Sequence, residues 1–278
     1  MAQRFARLNS RFPRQRAFIT GASSGLGLAL AKALAADGWT LGLFDRNLER
    51  LTSVEAEFAD AGVKLVAYPG DVTQSDELTV AVNSFAATHD GVDVMINNAG
   101  VAAAGTMMEV SLEDWRWIID INLMGVVHGS RAAIPHLQRN GTGLLINIAS
   151  AAAFVSAPGM VSYNATKAAV LSISETLVNE LRSAGIQVSV VMPTFFRSAL
   201  LESLRAPDHA RAQAHHVMQN SEYAVEDAAR ELLLESAAGQ TYIVLPKAAR
   251  KLWRFKRWMP VRFLERVRQF AFRRAPSE

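Results

Sequence analysis

Short, mainly apolar runs alternate with longer segments of helical periodicity along most of the chain. Runs of five or six residues bounded by turn residues predict buried strands, and stripes with a period near 3.6 predict helices. The predicted strands cover residues 16–20, 40–44, 64–68, 92–96, 143–148, 186–191 and 241–246. The predicted helices cover residues 28–36, 47–60, 75–88, 111–140, 163–181 and 225–235. This alternation predicts an α/β fold with a doubly wound, seven-stranded parallel sheet and helices on both of its faces.

A glycine-rich turn joins the first predicted strand to the first predicted helix. It reads Thr-Gly-Ala-Ser-Ser-Gly-Leu-Gly over residues 20–27. Glycines let a backbone approach a pyrophosphate closely, and the free N–H groups at a helix start favour its negative charge. A plain loop is the alternative, but the order of strand, glycine turn and helix favours a dinucleotide site. The residues predicted to contact the dinucleotide are Gly21, Ser23, Ser24, Gly25, Leu26 and Gly27.

The second predicted strand ends in an acid followed by a base, Asp45 and Arg46. A carboxylate placed about 20 residues or more after the glycines accepts hydrogen bonds from the adenosine ribose hydroxyls, and it repels a 2′-phosphate. Asp45 therefore favours NAD over NADP. Arg46 has two interpretations, which are a contact with the cofactor and a solvated arginine that stacks on the adenine face.

A tyrosine and a lysine, Tyr163 and Lys167, are four residues apart in a predicted helix and therefore lie on one face of it. A lysine ammonium beside a phenol favours the phenolate, so we expect Lys167 to lower the pKa of Tyr163. Such a tyrosine can exchange protons near neutral pH, where a free tyrosine cannot. The same spacing also occurs on solvated helix faces, so the pair indicates a catalytic site only together with other motifs of the chain.

Three stretches in this order resemble the short-chain dehydrogenase/reductase family. They are residues 20–27, Asn-Asn-Ala-Gly at 97–100, and Tyr-Asn-Ala-Thr-Lys at 163–167. The resemblance covers about residues 15–246 and is to the single-domain branch of the family, which implies a Rossmann-type fold.

The resemblance implies catalytic roles for four residues, which are Ser150, Tyr163, Lys167 and Asn122. Tyr163 would be the general acid and base. Ser150 lies thirteen residues before it, the family's usual interval for the serine that holds the substrate oxygen. Asn122 would support a proton-relay water, and a buried asparagine at a helix kink is the alternative.

The resemblance also implies cofactor contacts outside the glycine turn and Asp45–Arg46. These are Asp71, Val72, Asn98, Ala99, Gly100, Tyr163, Lys167, Pro193, Thr194, Phe196 and Ser198. Thr194 departs from the family pattern, because most members have glycine after this proline. In the family, an arginine at the position of Arg46 often accompanies NADP, whereas Ser24 is neutral where many NADP members carry a base. NAD is therefore the predicted cofactor and NADP the alternative.

Residues 199–222 correspond to the segment that forms a mobile lid in the family. Several apolar residues lie in or next to it: Phe195, Phe196, Leu200, Leu201, Leu204 and Met218. They indicate a hydrophobic substrate, or they pack the lid onto the domain. The sequence leaves both interpretations open.

The formal net charge of +3 is unevenly distributed. Residues 1–16 carry five arginines and no acid, and residues 247–278 carry eleven Lys/Arg and two acids, so residues 17–246 have a net charge of −11. We divide the chain into a basic N-terminal arm (1–15), a dehydrogenase/reductase domain (16–246) and a basic C-terminal extension (247–278). This distribution is unlike the evenly basic surface of a nucleic-acid enzyme, so no nucleic acid is predicted as a partner.

The C-terminal extension has apolar residues at helical spacing with cations between them, and Pro260 divides it into two predicted helices. Such a basic amphipathic segment can lie on an anionic membrane, on its own domain or on a second subunit, and all three remain open. No apolar run reaches the ~18 residues of a transmembrane helix. The basic N-terminus lacks the apolar segment of a secretory signal.

These observations predict an NAD(P)-dependent oxidoreductase that transfers a hydride between the nicotinamide and a hydrophobic secondary alcohol or ketone. The alternative is a membrane-associated nucleotide-binding regulatory or scaffolding protein with vestigial catalysis. The chain has no cysteine, and its six histidines lack metal-ligand spacing, so no metal is predicted. The resemblance implies a homodimer or homotetramer. The predicted location is the cytoplasm, with peripheral membrane attachment as the alternative.

Overall fold

Seven parallel strands form one sheet in the computed structural model, which describes residues 5–196, 199–219, 221 and 223–273. The strands are β1 Arg16–Thr20, β2 Thr40–Asp45, β3 Leu65–Pro69, β4 Val94–Asn97, β5 Gly143–Ile148, β6 Ile186–Pro193 and β7 Tyr242–Leu245. Their order in the sheet is β3-β2-β1-β4-β5-β6-β7. The predicted fold class is confirmed, and the seven predicted strands match the seven observed ones to within two residues at each end.

Helices cover both faces of the sheet. They are α1 Ala6–Arg11, α2 Gly25–Ala35, α3 Leu48–Asp60, α4 Ser75–His89, α5 Leu112–Ile119, α6 Gly125–Arg139, α7 Ala152–Val155, α8 Val161–Glu180, α9 Asp208–Gln219, α10 Val225–Ala237, α11 Arg250–Trp258 and α12 Pro260–Arg273. Helices α1, α2, α3 and α10 share one buried cluster, and α4, α5, α6 and α8 share another. Successive strand residues point to opposite faces, so Ile19 lies in the first cluster and Phe18 in the second.

The N-terminal segment contributes to the core through a helix that the sequence did not predict. Phe5, Leu8 and Phe12 are buried in the first cluster, and the Trp39 indole donates to Asn9 Oδ1 at 2.8 Å. Helix α1 ends before Pro13, as the missing proline N–H requires. The six-residue helix is too short for its apolar period to stand out among the arginines.

The predicted helix over 111–140 is interrupted by a wider, π-helical turn at Asp120–Met124 between α5 and α6. Asn122 lies in this turn and is fully buried. The expected local distortion at Asn122 therefore takes the form of one wide turn. The tyrosine helix α8 begins at Val161, two residues before Tyr163.

Candidate active site

The carboxyl ends of β1 and β4 meet at the point where the strand order reverses, which is where parallel α/β sheets bind ligands. Thr20 joins the two ends, because its hydroxyl oxygen accepts from the backbone N–H groups of Asn98 and Ala99 at 3.1 Å each. The Asn98 amide donates back to the carbonyl oxygens of Thr20 and Gly21 at 3.0 Å. The glycine turn and the predicted cofactor residues at 98–100 therefore form one hydrogen-bonded unit.

The glycine turn has room for backbone atoms only. Gly21 has φ +64°, and a Cβ there would lie 2.7 Å from the Ala99 Cα. A side chain at Gly27 would overlap the Gly21 carbonyl oxygen. Helix α2 begins at Gly25, so its first free N–H groups lie at this turn, and Ser24 is its N-terminal flanking residue. The turn thus has the close backbone approach and positive helix end that fit a pyrophosphate.

Asp45 is held at the end of β2 by two backbone donors. The Ser23 N–H donates to Oδ2 and the Asn47 N–H donates to Oδ1, both at 2.9 Å. A carboxylate has about four acceptor positions, so it can still accept from ribose hydroxyls. Arg46, next to it, is exposed.

Asp71 and Val72 lie in the turn between β3 and α4. The Thr73 N–H donates to Asp71 Oδ1 at 2.9 Å, and the Val72 carbonyl is 2.9 Å from His128 Nδ1. The Val72 side chain is buried against Gly125, where an added Cβ would lie 3.0 Å away. This turn is therefore fixed to α6 as well as to the edge of the sheet.

Tyr163 and Ser150 come together between α8 and the end of β5. Tyr163 is almost fully buried, and the Ser150 hydroxyl lies within hydrogen-bonding reach of the phenol. Burial raises the pKa of Tyr163, and the hydrogen bond with Ser150 opposes this rise. The Ser150 hydroxyl also accepts from the Ala152 N–H at 3.2 Å, which orients it toward the same space.

Lys167 lies one helical turn beyond Tyr163 and is buried. Its ammonium donates to the Ile148 carbonyl at 2.9 Å and is 5.8 Å from the centroid of the Tyr163 ring. Burial lowers the pKa of Lys167 to about 8. We expected Lys167 to lower the pKa of Tyr163, whereas burial raises that pKa and the hydrogen bond with Ser150 opposes the rise. Burial is a tertiary property that residue spacing does not reveal.

Asn122 fixes the chain beside Lys167. Its Oδ1 accepts from the Val101 N–H at 2.8 Å, and its Nδ2 donates to the Val101 carbonyl at 2.9 Å. The intervening Gly100 is so close that an added Cβ would lie 3.2 Å from Asn122 Oδ1 and 3.4 Å from Lys167 Nζ. Asn122, Gly100 and Lys167 therefore belong to the same group of contacts.

The end of β6 lies next to Ser150. The Pro193 carbonyl accepts from the Ala151 N–H at 2.8 Å and from the Ser150 hydroxyl at 3.5 Å. The Thr194 N–H donates to the Leu245 carbonyl at 2.8 Å. Phe196 is buried in the first core cluster. Ser198 lies outside the described residues.

Comparison with known proteins shows the family of this chain. Residues 15–209 match the family model for short chain dehydrogenase. The chain belongs to the short-chain dehydrogenase/reductase family. A 3-oxoacyl-[acyl-carrier-protein] reductase of Synechocystis sp. is 34% identical over 193 residues, which are 69% of this chain and 78% of the relative.

Two solved structures of similar proteins extend this comparison. A short chain dehydrogenase/reductase from Burkholderia phymatum, in complex with NAD, has a TM-score of 0.82 at 27% identity and covers 95% of this chain and 96% of its own. An alcohol dehydrogenase from Thermococcus sibiricus, complexed with 5-hydroxy-NADP, has a TM-score of 0.71 at 25% identity and covers 83% of this chain and 95% of its own. Family membership confirms the predicted oxidoreductase class and the predicted nicotinamide dinucleotide, NAD or NADP.

This short-chain dehydrogenase also has a buried polar chain beneath the site that the sequence analysis missed. Asn97 donates to Ser130 at 3.1 Å and to Asn147 at 2.8 Å, and Asn147 donates to Ser174 at 3.0 Å. These bonds tie β4 and β5 to α6 and α8. The signal in the sequence was a polar residue inside each of two apolar strands, because a buried amide in a strand needs a partner.

The lid region of the dehydrogenase is packed onto the domain. Leu204 is buried against Ala102 and Ala104, with Leu200 and Leu201 beside it. Backbone hydrogen bonds join Arg205 to the carbonyl of Ala102 and the N–H of Ala104. These leucines therefore serve packing, the second of the two interpretations, while the Met218 side chain lies outside the described part of the chain. Apolar composition of the lid alone is thus no evidence for a hydrophobic substrate.

Within the residues that the structure describes, no helix is long and apolar enough to cross a bilayer. In the same part of the chain, no cluster of three or more His, Asp or Glu side chains could hold a metal ion.

Proposed function

We propose that this enzyme interconverts a ketone and a secondary alcohol with NAD(H), and that Tyr163 is its general acid and base. The observation that carries the proposal is the joint burial of Tyr163 and Lys167 with Ser150 in reach of the phenol. A buried tyrosine and lysine in the same cluster are expensive to maintain for stability alone, and perturbed titratable groups of this kind are concentrated at functional sites.

Each residue has a separate role in the reduction. The bound cofactor would supply the hydride that reduces the carbonyl carbon. Tyr163 donates its proton to the carbonyl oxygen, so the C=O becomes CH–OH as the nicotinamide is oxidised. Ser150 donates a hydrogen bond to that oxygen and stabilises its developing charge. Oxidation of the alcohol runs through the same steps in reverse.

Lys167 and Asn122 support Tyr163. A Lys167 with a pKa of about 8 exchanges its proton readily near neutral pH and, as the family resemblance implies, holds the nicotinamide ribose. Asn122 uses both ends of its amide on Val101. We propose that it supports the proton relay by positioning Gly100 and Val101 beside Lys167, which makes it a positioning residue.

The fixed carboxylate of Asp45 supports the choice of NAD. Two backbone donors hold Asp45 in place, so it cannot turn away from a 2′-phosphate without losing both bonds. Arg46 is exposed to solvent. We therefore propose a preference for NADH over NADPH, set by Asp45.

The substrate we propose is an apolar ketone or secondary alcohol. The residues on either side of Ser150 are all alanines: Ala149 and Ala151 are buried, and the half-buried Ala152 and Ala153 place no charged side chain beside Ser150. The Synechocystis relative is named for the reduction of a 3-oxoacyl group, which is also a ketone. The alanines support an apolar substrate, and the name of the relative supports reduction as the direction to test first.

The test is an absorbance assay with the purified protein, NADH and NADPH in parallel, and a panel of aliphatic, aromatic, steroid-like and 3-oxoacyl thioester ketones. We expect turnover with NADH on at least one class and a lower kcat/KM with NADPH. An Asp45→Ser variant should lose that preference. Cofactor binding without turnover across the whole panel would contradict the proposal and favour a nucleotide-binding regulatory protein.

The proposed assembly is a homodimer or homotetramer in the cytoplasm, as is common in the family. Light scattering of the purified protein measures its mass directly, and a monomer would contradict this part of the proposal.

A further inference from the structure

The two C-terminal helices leave a group of large apolar side chains in solvent. Helix α11 ends at Trp258 and α12 begins at Pro260. At this junction Trp258 is 86% exposed, Val261 69%, Leu264 45% and Met259 38%. We call these four residues the apolar elbow. Single exposed apolar residues need no explanation, but four large ones at one junction do.

The inner side of the same helices is firmly attached to the domain. Phe263 is buried with Phe154, and Trp253 packs edge-on against Phe154 with ring centroids 5.1 Å apart. Arg250 pairs with Glu235 at 2.7 Å. The elbow is therefore presented outward by a docked pair of helices, so its exposure does not come from a detached tail.

Cations surround the elbow. Residues 250–273 contain nine Lys/Arg and a single acid, Glu265. Among them Arg254 and Arg262 are exposed and lie within four residues of Trp258. Apolar side chains with a tryptophan at the tip and cations on the flanks form the pattern by which a protein enters the interface of an anionic bilayer.

We propose that the apolar elbow docks the enzyme on an anionic lipid surface. A second copy of the chain fits this surface poorly, because a twofold contact places the same patch against itself and would bring two sets of exposed cations together, Arg254 and Arg262 among them. Nucleic acid fits poorly as well, because phosphates do not accommodate exposed Trp258, Val261 and Leu264. Anionic headgroups over an acyl layer satisfy both the cations and the apolar groups.

The test is co-sedimentation of the full-length protein with phosphatidylcholine vesicles and with vesicles that also contain phosphatidylglycerol. We expect binding to the anionic vesicles only, and weaker binding at high salt. The variant Arg254→Gln/Arg262→Gln should bind about thirtyfold more weakly, since each cation near the surface contributes roughly 1 kcal/mol. The variant Trp258→Ser/Val261→Ser should lose about tenfold or more, because less apolar area leaves water.

Matched controls separate the elbow from general surface effects. Leu48→Ser/Val80→Ser removes two apolar residues that are 60% and 67% exposed elsewhere, and Arg131→Gln/Arg182→Gln removes two exposed cations. Both should bind like the wild type. Failure of the wild type to bind anionic vesicles, or equal binding by the elbow variants, would overturn the proposal. A change in oligomeric mass of the elbow variants without a change in vesicle binding would also overturn it, in favour of a subunit contact. None of these readouts depends on turnover.

Discussion

The catalytic group proposed here, Ser150, Tyr163 and Lys167, and the pair of C-terminal helices α11 and α12 use similar residue types in opposite ways. We call the first the Tyr163 cluster and the second the helix pair. Both combine cations with aromatic rings. In the cluster, Lys167 is buried and hydrogen-bonded to a backbone carbonyl, and the tyrosine is almost inaccessible. In the helix pair, Arg254, Arg262 and Trp258 face solvent. A buried cation with a hydrogen-bond partner acts within the protein, whereas an exposed apolar ring beside cations can contact an external binding partner. Substitutions in the Tyr163 cluster should therefore change turnover, and substitutions on the exposed side of the helix pair should change vesicle binding.

Ser150→Ala should separate turnover from vesicle binding by a large factor. This variant loses the donor to the developing oxyanion, so kcat should fall by roughly 10²–10³-fold while vesicle binding stays unchanged. Steady-state kinetics beside co-sedimentation measures both. Ser172→Ala, on the exposed side of α8, is the control and should retain wild-type turnover. A Ser150→Ala enzyme within threefold of the wild type would remove Ser150 from the mechanism.

A buried lysine and an exposed lysine should differ in how they link stability to pH. Lys167 has a folded pKa of about 8, below its ordinary 10.5, so the unfolded chain binds its proton more tightly. Below pH 8 both states are protonated and the burial penalty is complete. Between pH 8 and 10.5 the folded state loses this proton first, and the penalty disappears as the pH rises. The Lys167→Met variant has no such penalty at any pH. The difference between its free energy of unfolding and that of the wild type should therefore decrease by about 3 kcal/mol across this range.

Urea unfolding at several pH values measures that change, and Lys251→Met in α11 is the matched control. Because Lys251 is exposed, its variant should follow the wild type at every pH. Parallel curves for Lys167→Met and the wild type would mean that the pKa of Lys167 is not lowered.

The smallest expected effect distinguishes the two sides of the helix pair. Phe263→Ala empties a buried site and should lower the free energy of unfolding by about 3 kcal/mol. Trp258→Ala lies on the exposed elbow and should stay within about 0.5 kcal/mol of the wild type. Because Phe263 shares its cluster with Ala149 and Ala151, which flank Ser150, Phe263→Ala should also reduce turnover. Thermal unfolding together with kinetics checks both, and equal destabilisation by the two variants would contradict the described packing.

The sequence predicted the parts of the site that depend on short spacing. The glycine turn, Asp45 and the Tyr163–Lys167 pair each lie within a few residues of a strand end or on one helix face, so local rules locate them. The strands were predicted because turn residues bound each of their apolar runs.

Features that depend on distant parts of the chain were not predicted. The burial of Phe5, Leu8 and Phe12 depends on helices more than 200 residues away in sequence, such as α10. The lid leucines pack on Ala102 and Ala104, which no periodicity within the lid reveals. The pKa of Tyr163 was expected to be lowered by its neighbour, whereas its burial by the whole fold raises it. Local patterns thus locate the proposed reacting groups, and tertiary packing sets their properties.

The most direct test of the central claim measures turnover and cofactor binding in Tyr163→Phe. Phenylalanine keeps the packing of the ring and removes only the phenolic hydroxyl, which carries the exchangeable proton. We expect kcat to fall by roughly 10²–10⁴-fold, with the Kd for NADH, from titration calorimetry, within threefold of the wild type. Tyr242→Phe, which loses a hydroxyl hydrogen-bonded to Glu175 beside the helix pair, should keep its turnover. A Tyr163→Phe enzyme that still reduces ketones at a near wild-type rate would contradict the account.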